Sequence, residues 1–238
     1  MKKIENIKGL IFDYGGTLDT DGVHWSEVIW KAYREIGIPV EKQQFRDAYV
    51  VGERYLAQPD IVKHNDIFYD ILLKKSIAQI KYLISNNLLP DTEETVKYPE
   101  RIACLCNQCA INTTKRTGNI LKSLHSLYPL ILVTNFYGNI HSVLENFHLL
   151  CHFDDIIESA KVGVRKPNPK IFELGVKALH AAPNEVIVIG DSVTNDIIPA
   201  KKLCCRTVWL EGIGWEPQKS DVDTDYKISA LKDIELLL

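Results

Sequence analysis

The stretch Gly9-Leu10-Ile11-Phe12-Asp13-Tyr14-Gly15-Gly16-Thr17-Leu18-Asp19 decides the fold of this 238-residue chain. A short apolar run ends in a carboxylate, and two glycines and a threonine follow at once. An aspartate at the carboxyl end of a buried strand stands in the crevice where open α/β sheets bind their ligands. Glycines let backbone N–H groups crowd around an anion with no Cβ in the way. The pattern predicts a strand over residues 9–12 and an anion-handling loop after it.

Working outward, three more apolar runs, over residues 130–133, 186–189 and 206–210, have strand length, and a weaker one covers 155–158. Continuous apolar runs of this kind suit strands buried on both faces of a parallel sheet. Helical patterns lie between them. Asn168-Pro169 reads as N-cap and first helical residue, with Ile171, Phe172, Val176 and Leu179 following at helical spacing, and residues 119–127 repeat the pattern. Alternation of strand and helix predicts an α/β fold with a doubly wound, Rossmann-like parallel sheet.

The interval between Phe12 and Leu130 is far too long for one crossover. It carries helical signals: Ile29, Trp30, Tyr33 and Ile36 ending at Gly37; Phe45, Tyr49 and Leu56; Ile67, Ile71, Ile80 and Ile84 ending at Asn86-Asn87. The expected organisation is a core of residues 1–22 and 99–238, with an all-helical cap over 23–98 inserted after the first motif.

Composition bounds the function. The chain is 46% hydrophobic and 25% charged, with a net charge of -3, which speaks against a general nucleic-acid or membrane-surface binder. No apolar run reaches the roughly 18 residues of a spanning helix, and the basic start at Lys2 and Lys3 lacks the apolar region of a secretory signal. A cytoplasmic enzyme is the expected class. The six cysteines read as free thiols. Cys104, Cys106 and Cys109 have the spacing of metal ligands, but no fourth ligand is near, so buried packing as small hydrophobes is the expectation.

The first motif resembles motif I of the haloacid dehalogenase-like (HAD) superfamily, and three later segments resemble its other motifs in order. They are Leu130-Ile131-Leu132-Val133-Thr134-Asn135, Val162-Gly163-Val164-Arg165-Lys166-Pro167 and Val186-Ile187-Val188-Ile189-Gly190-Asp191-Ser192-Val193-Thr194-Asn195-Asp196. The resemblance implies a hydrolase whose nucleophile is Asp13, with Thr134 donating to a phosphoryl oxygen and Lys166 offsetting charge. It implies Mg²⁺ held by Asp13, the Gly15 carbonyl and Asp191, with Asp196 as a ligand or water-mediated partner. Gly16, Thr17 and Asn135 are the implied substrate-binding residues. The substrate is then a small phosphorylated metabolite, with neither nucleic acid nor membrane as partner. A receiver-like phospho-acceptor domain also places Asp, Thr and Lys at strand ends, but gives no reason for a large helical insertion.

One position departs from the family. Where motif I has a second aspartate, the usual general acid, this chain has Gly15. General acid–base catalysis is worth roughly 10²–10⁴-fold. Three readings follow: a phosphatase confined to good leaving groups such as acyl or aryl phosphates, a phosphonatase- or dehalogenase-like hydrolase, or a weakly catalytic phosphoryl-binding protein. A phosphonatase would use a cap lysine, with Lys31, Lys63, Lys74, Lys75 and Lys81 as candidates, each read first as a surface charge. Asp19, Asp21 and His24 are candidate substitute acids, although Asp21-Gly22 also reads as a turn and His24 as a helix start. Trp25 and Trp30 either line the cleft or pack the cap.

Overall fold

The computed structural model describes residues 3–214 and 223–238, so Met1 and Lys2 of the basic N-terminus lie outside the described residues. The strands are β1 (Gly9–Phe12), β2 (Leu130–Thr134), β3 (Asp155–Glu158), β4 (Val186–Gly190), β5 (Arg206–Leu210) and β6 (Tyr226–Ile228). All neighbours pair in parallel, in the order β3-β2-β1-β4-β5-β6. The order reverses between β1 and β4, and a crevice opens at the carboxyl ends of strands on either side of such a point. The fold is the α/β, Rossmann-like architecture expected from the sequence. The sixth strand is an addition to the five expected from sequence.

The period of two along each strand builds two cores. Leu10, Phe12, Leu130, Leu132, Ile187 and Ile189 face one side, and Ile11, Ile131, Val133, Val186 and Val188 face the other. Between β1 and β2 run α1 (Trp25–Ile36), α2 (Lys42–Leu56), α3 (Phe68–Ser85) and α4 (Glu93–His125). The helix ends obey local rules. Gly37 closes α1 at a φ of 81°, and Thr92 caps α4 by accepting from the Thr95 N–H. The helix expected over 119–127 is the last part of the 33-residue α4, which also runs through the expected boundary at 98–99. Pro99 sits inside this helix.

On the second half of the chain lie α5 (Ile140–Asn146), α6 (Ser159–Val162), α7 (Lys170–Ala178) and α8 (Ile198–Lys202). Helix α7 starts one residue later than Asn168-Pro169 suggests, and the Asn168 side chain still accepts from the Lys170 N–H at 3.0 Å. It lies so close to the sheet that a Cβ on Gly175 would stand 2.9 Å from Ile11 Cδ1 and 3.0 Å from Val133 Cγ2. That contact fixes the depth at which α7 packs and the loop before it emerges. Among the described residues, no helix is long and apolar enough to cross a membrane. Gly175→Val is expected to cost about 1–3 kcal/mol through overpacking, read as a lower midpoint in urea denaturation; an unchanged midpoint would show that α7 can shift freely.

Candidate active site

Strand register brings the acidic residues together. Phe12 pairs with Ile189, and the Asp13 N–H donates to the Ile189 carbonyl at 3.0 Å, so Asp13 and Asp191 leave adjacent strands side by side. The Thr17 hydroxyl joins them. It accepts from the Asp191 N–H at 3.1 Å and offers its one proton to Asp13 Oδ2 at 2.9 Å or Asp191 Oδ1 at 3.2 Å. Gly16 makes this approach possible, since a Cβ there would lie 2.5 Å from Asp191 Oδ2. Gly190 does the same for Asp196, whose carboxyl carbon would lie 2.5 Å from an added Cβ.

Lys166 reaches this cluster from the loop before α7. Its Nζ donates to Asp13 Oδ1 at 2.6 Å and to Asp196 Oδ1 at 2.7 Å, and the residue is only 4% exposed. Burial alone would lower the Lys166 pKa; the Asp13 and Asp196 carboxylates outweigh it and hold the ammonium above its ordinary range. The second Asp196 oxygen accepts from the Ser192 N–H at 3.1 Å.

Asp13, Asp191 and Asp196 place carboxylate oxygens within 4.8 Å of one another, all buried. Burial first, then the Asp13 and Asp196 charges, push Asp191 well above the usual carboxylate range. Burial also raises Asp196, to about 6, against the opposing pull of Lys166. Three carboxylates facing one ammonium leave an excess of negative charge, and every donor is a hard oxygen. These residues therefore fit a divalent cation such as Mg²⁺. The cysteines form no such group among the described residues. Only Cys106 and Cys205 are buried as small hydrophobes; Cys104 and Cys109 are exposed, contrary to expectation, because α4 turns only the Cys106 position inward.

A cavity of about 350 Å³ opens above Asp13. Gly15, Thr134, Asn135, Lys166, Asp191 and Asp196 line its floor, and Trp25, Phe68, Ile71 and Leu72 give it an apolar wall from the helical insertion. Nothing lies within 4 Å of a Cβ placed on Gly15. The space for the absent acid is open.

Some expected roles change. Asn135 donates from Nδ2 to the Lys166 carbonyl at 3.1 Å and accepts at Oδ1 from the Lys166 N–H at 2.9 Å, so its amide holds the lysine loop while keeping a second Nδ2 proton at the cavity it lines. The Gly16 N–H donates to Asp19 Oδ1 at 2.8 Å and the Thr17 N–H to the Tyr14 carbonyl at 3.2 Å, so the loop closes on itself and both N–H groups already have partners. Asp19 is fully buried, and its other oxygen accepts from the Trp25 indole at 2.8 Å. Burial pushes its carboxyl up to about 7 against these hydrogen bonds. Asp21, at a φ of 56°, turns away to accept from the Leu231 N–H at 2.7 Å. His24 caps α1 through Nδ1, and burial lowers its pKa. Trp25 lines the cavity, whereas Trp30 packs on Phe45 at 5.2 Å.

The upper wall holds residues that no motif signals. Glu53, Tyr49 and Tyr137 line it together with Lys75, the one candidate lysine to reach the cavity. Lys75 is 6% exposed, which corrects its reading as a surface charge.

A family model described as haloacid dehalogenase-like hydrolase matches residues 7–203. The chain belongs to this family. Phosphoserine phosphatase of Thermus thermophilus is 29% identical to this HAD-like chain over 85 residues, 36% of this chain and 34% of that protein. Pyrimidine 5'-nucleotidase YjjG of Escherichia coli is 29% identical over 122 residues, 50% of this chain and 54% of that protein. The match spans about a third to a half of the length of these curated relatives. An L-2-haloacid dehalogenase of Xanthobacter autotrophicus shares the fold, with a TM-score of 0.59 at 16% identity over 97% of this chain and 98% of that one.

The Asn135 clamp yields a direct expectation. Asn135→Ala should lower stability by about 1–3 kcal/mol, because the Lys166 N–H and carbonyl both lose a partner; chemical denaturation reads the loss, and a change within error would show the clamp to be dispensable.

Proposed function

We propose that this chain is a Mg²⁺-dependent phosphatase that acts on a small phosphorylated metabolite through an aspartyl-phosphate on Asp13. The observation that carries the reading is the buried Lys166 ammonium, 2.6 Å from Asp13 and 2.7 Å from Asp196, beside a third carboxylate, Asp191. A carboxylate can approach an anionic phosphoryl group only where positive charge offsets their repulsion. Attack on a neutral carbon–halogen bond would need no such surplus of metal-ready oxygen, so the cluster favours phosphoryl transfer over dehalogenation.

Asp13, Asp191 and the Gly15 carbonyl would hold the cation, with Asp196 beside them; when bound, it offsets charge on the phosphoryl oxygens. The chain's own residues do the rest. Lys166 and Thr17 fix the two Asp13 oxygens at the cavity floor. The Thr134 hydroxyl donates to a phosphoryl oxygen. Asp13 attacks phosphorus, the bond to the leaving oxygen breaks, and water then cleaves the aspartyl-phosphate to return the free carboxylate. Helices α1–α3 and the first turns of α4, over residues 23–98, act as a cap that excludes water and selects the substrate.

Gly15 supplies no proton to the leaving group, so acyl and aryl phosphates are the preferred class and simple alkyl esters turn over slowly. The phosphonatase reading is less favoured by the position of Lys75. Its Nζ is held by the Glu53 carboxylate at 2.6 Å, a contact that a Schiff base with substrate would have to break.

Two experiments follow. On a panel of acyl, aryl and alkyl phosphates and phosphonates, wild-type protein should release phosphate with Mg²⁺ and stop on chelation, while Asp13→Asn should lose at least about 10³-fold in kcat. Full activity in Asp13→Asn, or none in the wild type on any substrate, overturns the proposal. Separately, Gly15→Asp should raise alkyl phosphatase activity by roughly 10²-fold or more, because the position is open and φ there is not left-handed; no gain would show that the site is arranged for chemistry without an acid at this position.

A further inference from the structure

The cavity wall opposite the carboxylate cluster has its own polar construction. Lys75, on α3, crosses α2 at Gly52, where an added Cβ would stand 2.9 Å from Lys75 Cγ. A glycine inside a helix costs about 1 kcal/mol relative to alanine, and here its missing side chain is the passage for the lysine stem. Nζ then meets Glu53 Oε1 at 2.6 Å and lies 5.4 Å from the centre of the Tyr49 ring.

The hydrogen-bond inventory of this wall is uneven. Glu53 takes three donors: Lys75 on Oε1, the Tyr137 hydroxyl on Oε2 at 2.8 Å, and the Tyr49 hydroxyl. Lys75 has three N–H groups, and the Glu53 bond is its one hydrogen bond among the described residues. Arg165, exposed at the rim where this cavity meets a second one of about 730 Å³, has no ion pair among the described residues. Glu53 is therefore engaged, while Lys75, which lines the cavity, has two further N–H groups to offer and Arg165 stands at the rim.

We infer that Lys75 determines specificity by binding an anionic group, a carboxylate, on the organic part of the substrate, with Arg165 adding positive charge at the rim. This rests on the phosphatase reading for the other end of the substrate, where Asp13 meets the phosphoryl group. The substrate class is thus a small phosphorylated carboxylic acid. A lysine that only ties α2 to α3 through Glu53 would show no preference between charged and neutral ligands.

The test uses matched pairs that no phosphatase can hydrolyse: 4-carboxybenzylphosphonate against 4-carbamoylbenzylphosphonate, and the corresponding 3-substituted pair, titrated calorimetrically into the full chain with Mg²⁺. Wild type should bind the carboxylate of at least one pair about tenfold or more tightly, the scale of one charged hydrogen bond. Lys75→Arg should keep the preference, and Lys75→Met should bring the ratio to about one. A wild-type ratio of one or below in both pairs overturns the inference even if Lys75→Met fails to fold, and a ratio retained in folded Lys75→Met overturns it as well. Because binding is read without turnover, a dead substrate panel would remove the phosphatase reading while leaving this ratio to be judged separately.

Discussion

Everything in the site depends on keeping three carboxylates together in a largely buried place where water screens them poorly. Asp13, Asp191 and Asp196 are buried within 4.8 Å of one another, and Lys166 is the ammonium that bonds two of them. Breaking a buried pair by removing one partner costs about 3–5 kcal/mol, so the surrounding structure is built to hold the lysine. Asn135 grips its backbone through both amide atoms, and Gly175 seats the following helix deep on the sheet. Glycines 16 and 190 are the complementary device, giving Asp191 and Asp196 room that any side chain would fill.

That arrangement explains how much could be read from sequence. Five strands were legible because each is an apolar run closed by a polar residue, and the switch between β1 and β4 then places Asp13 beside Asp191. The sixth, Tyr226–Ile228, is a three-residue edge strand with a lysine at its centre and has no such signature. Only the end of α4 was legible; its earlier part contains Pro99, a residue that normally marks a helix end. The start of α1 at His24 and its stop at Gly37 were legible from local chemistry alone.

The site divides along the same line. Residues in strand-end motifs could be named from sequence because their chemistry and their position in the chain coincide. Asn135 belongs to such a motif, yet its partner is the backbone of a loop 31 residues away, which only the fold reveals. Glu53, Lys75 and Tyr137 come from α2, α3 and the loop after β2, and no spacing links them. Lys75 was one of five indistinguishable lysines until helix packing at Gly52 sent it into the cavity. The floor of the cavity comes from strand-end motifs, and the wall above it from helix packing that no motif reports.

Gly15 keeps the chemistry of that floor open to a direct decision. With no acid at this position, the first step of the proposed reaction rests wholly on Asp13 as nucleophile. Acid-quenching the protein during turnover of an acyl or aryl phosphate with Mg²⁺, then mapping peptides by mass spectrometry, reads that step itself. One added phosphoryl group is expected on the peptide that carries Asp13, absent in Asp13→Asn. Turnover with no phosphorylated peptide, or with the phosphoryl group on another residue, would contradict it.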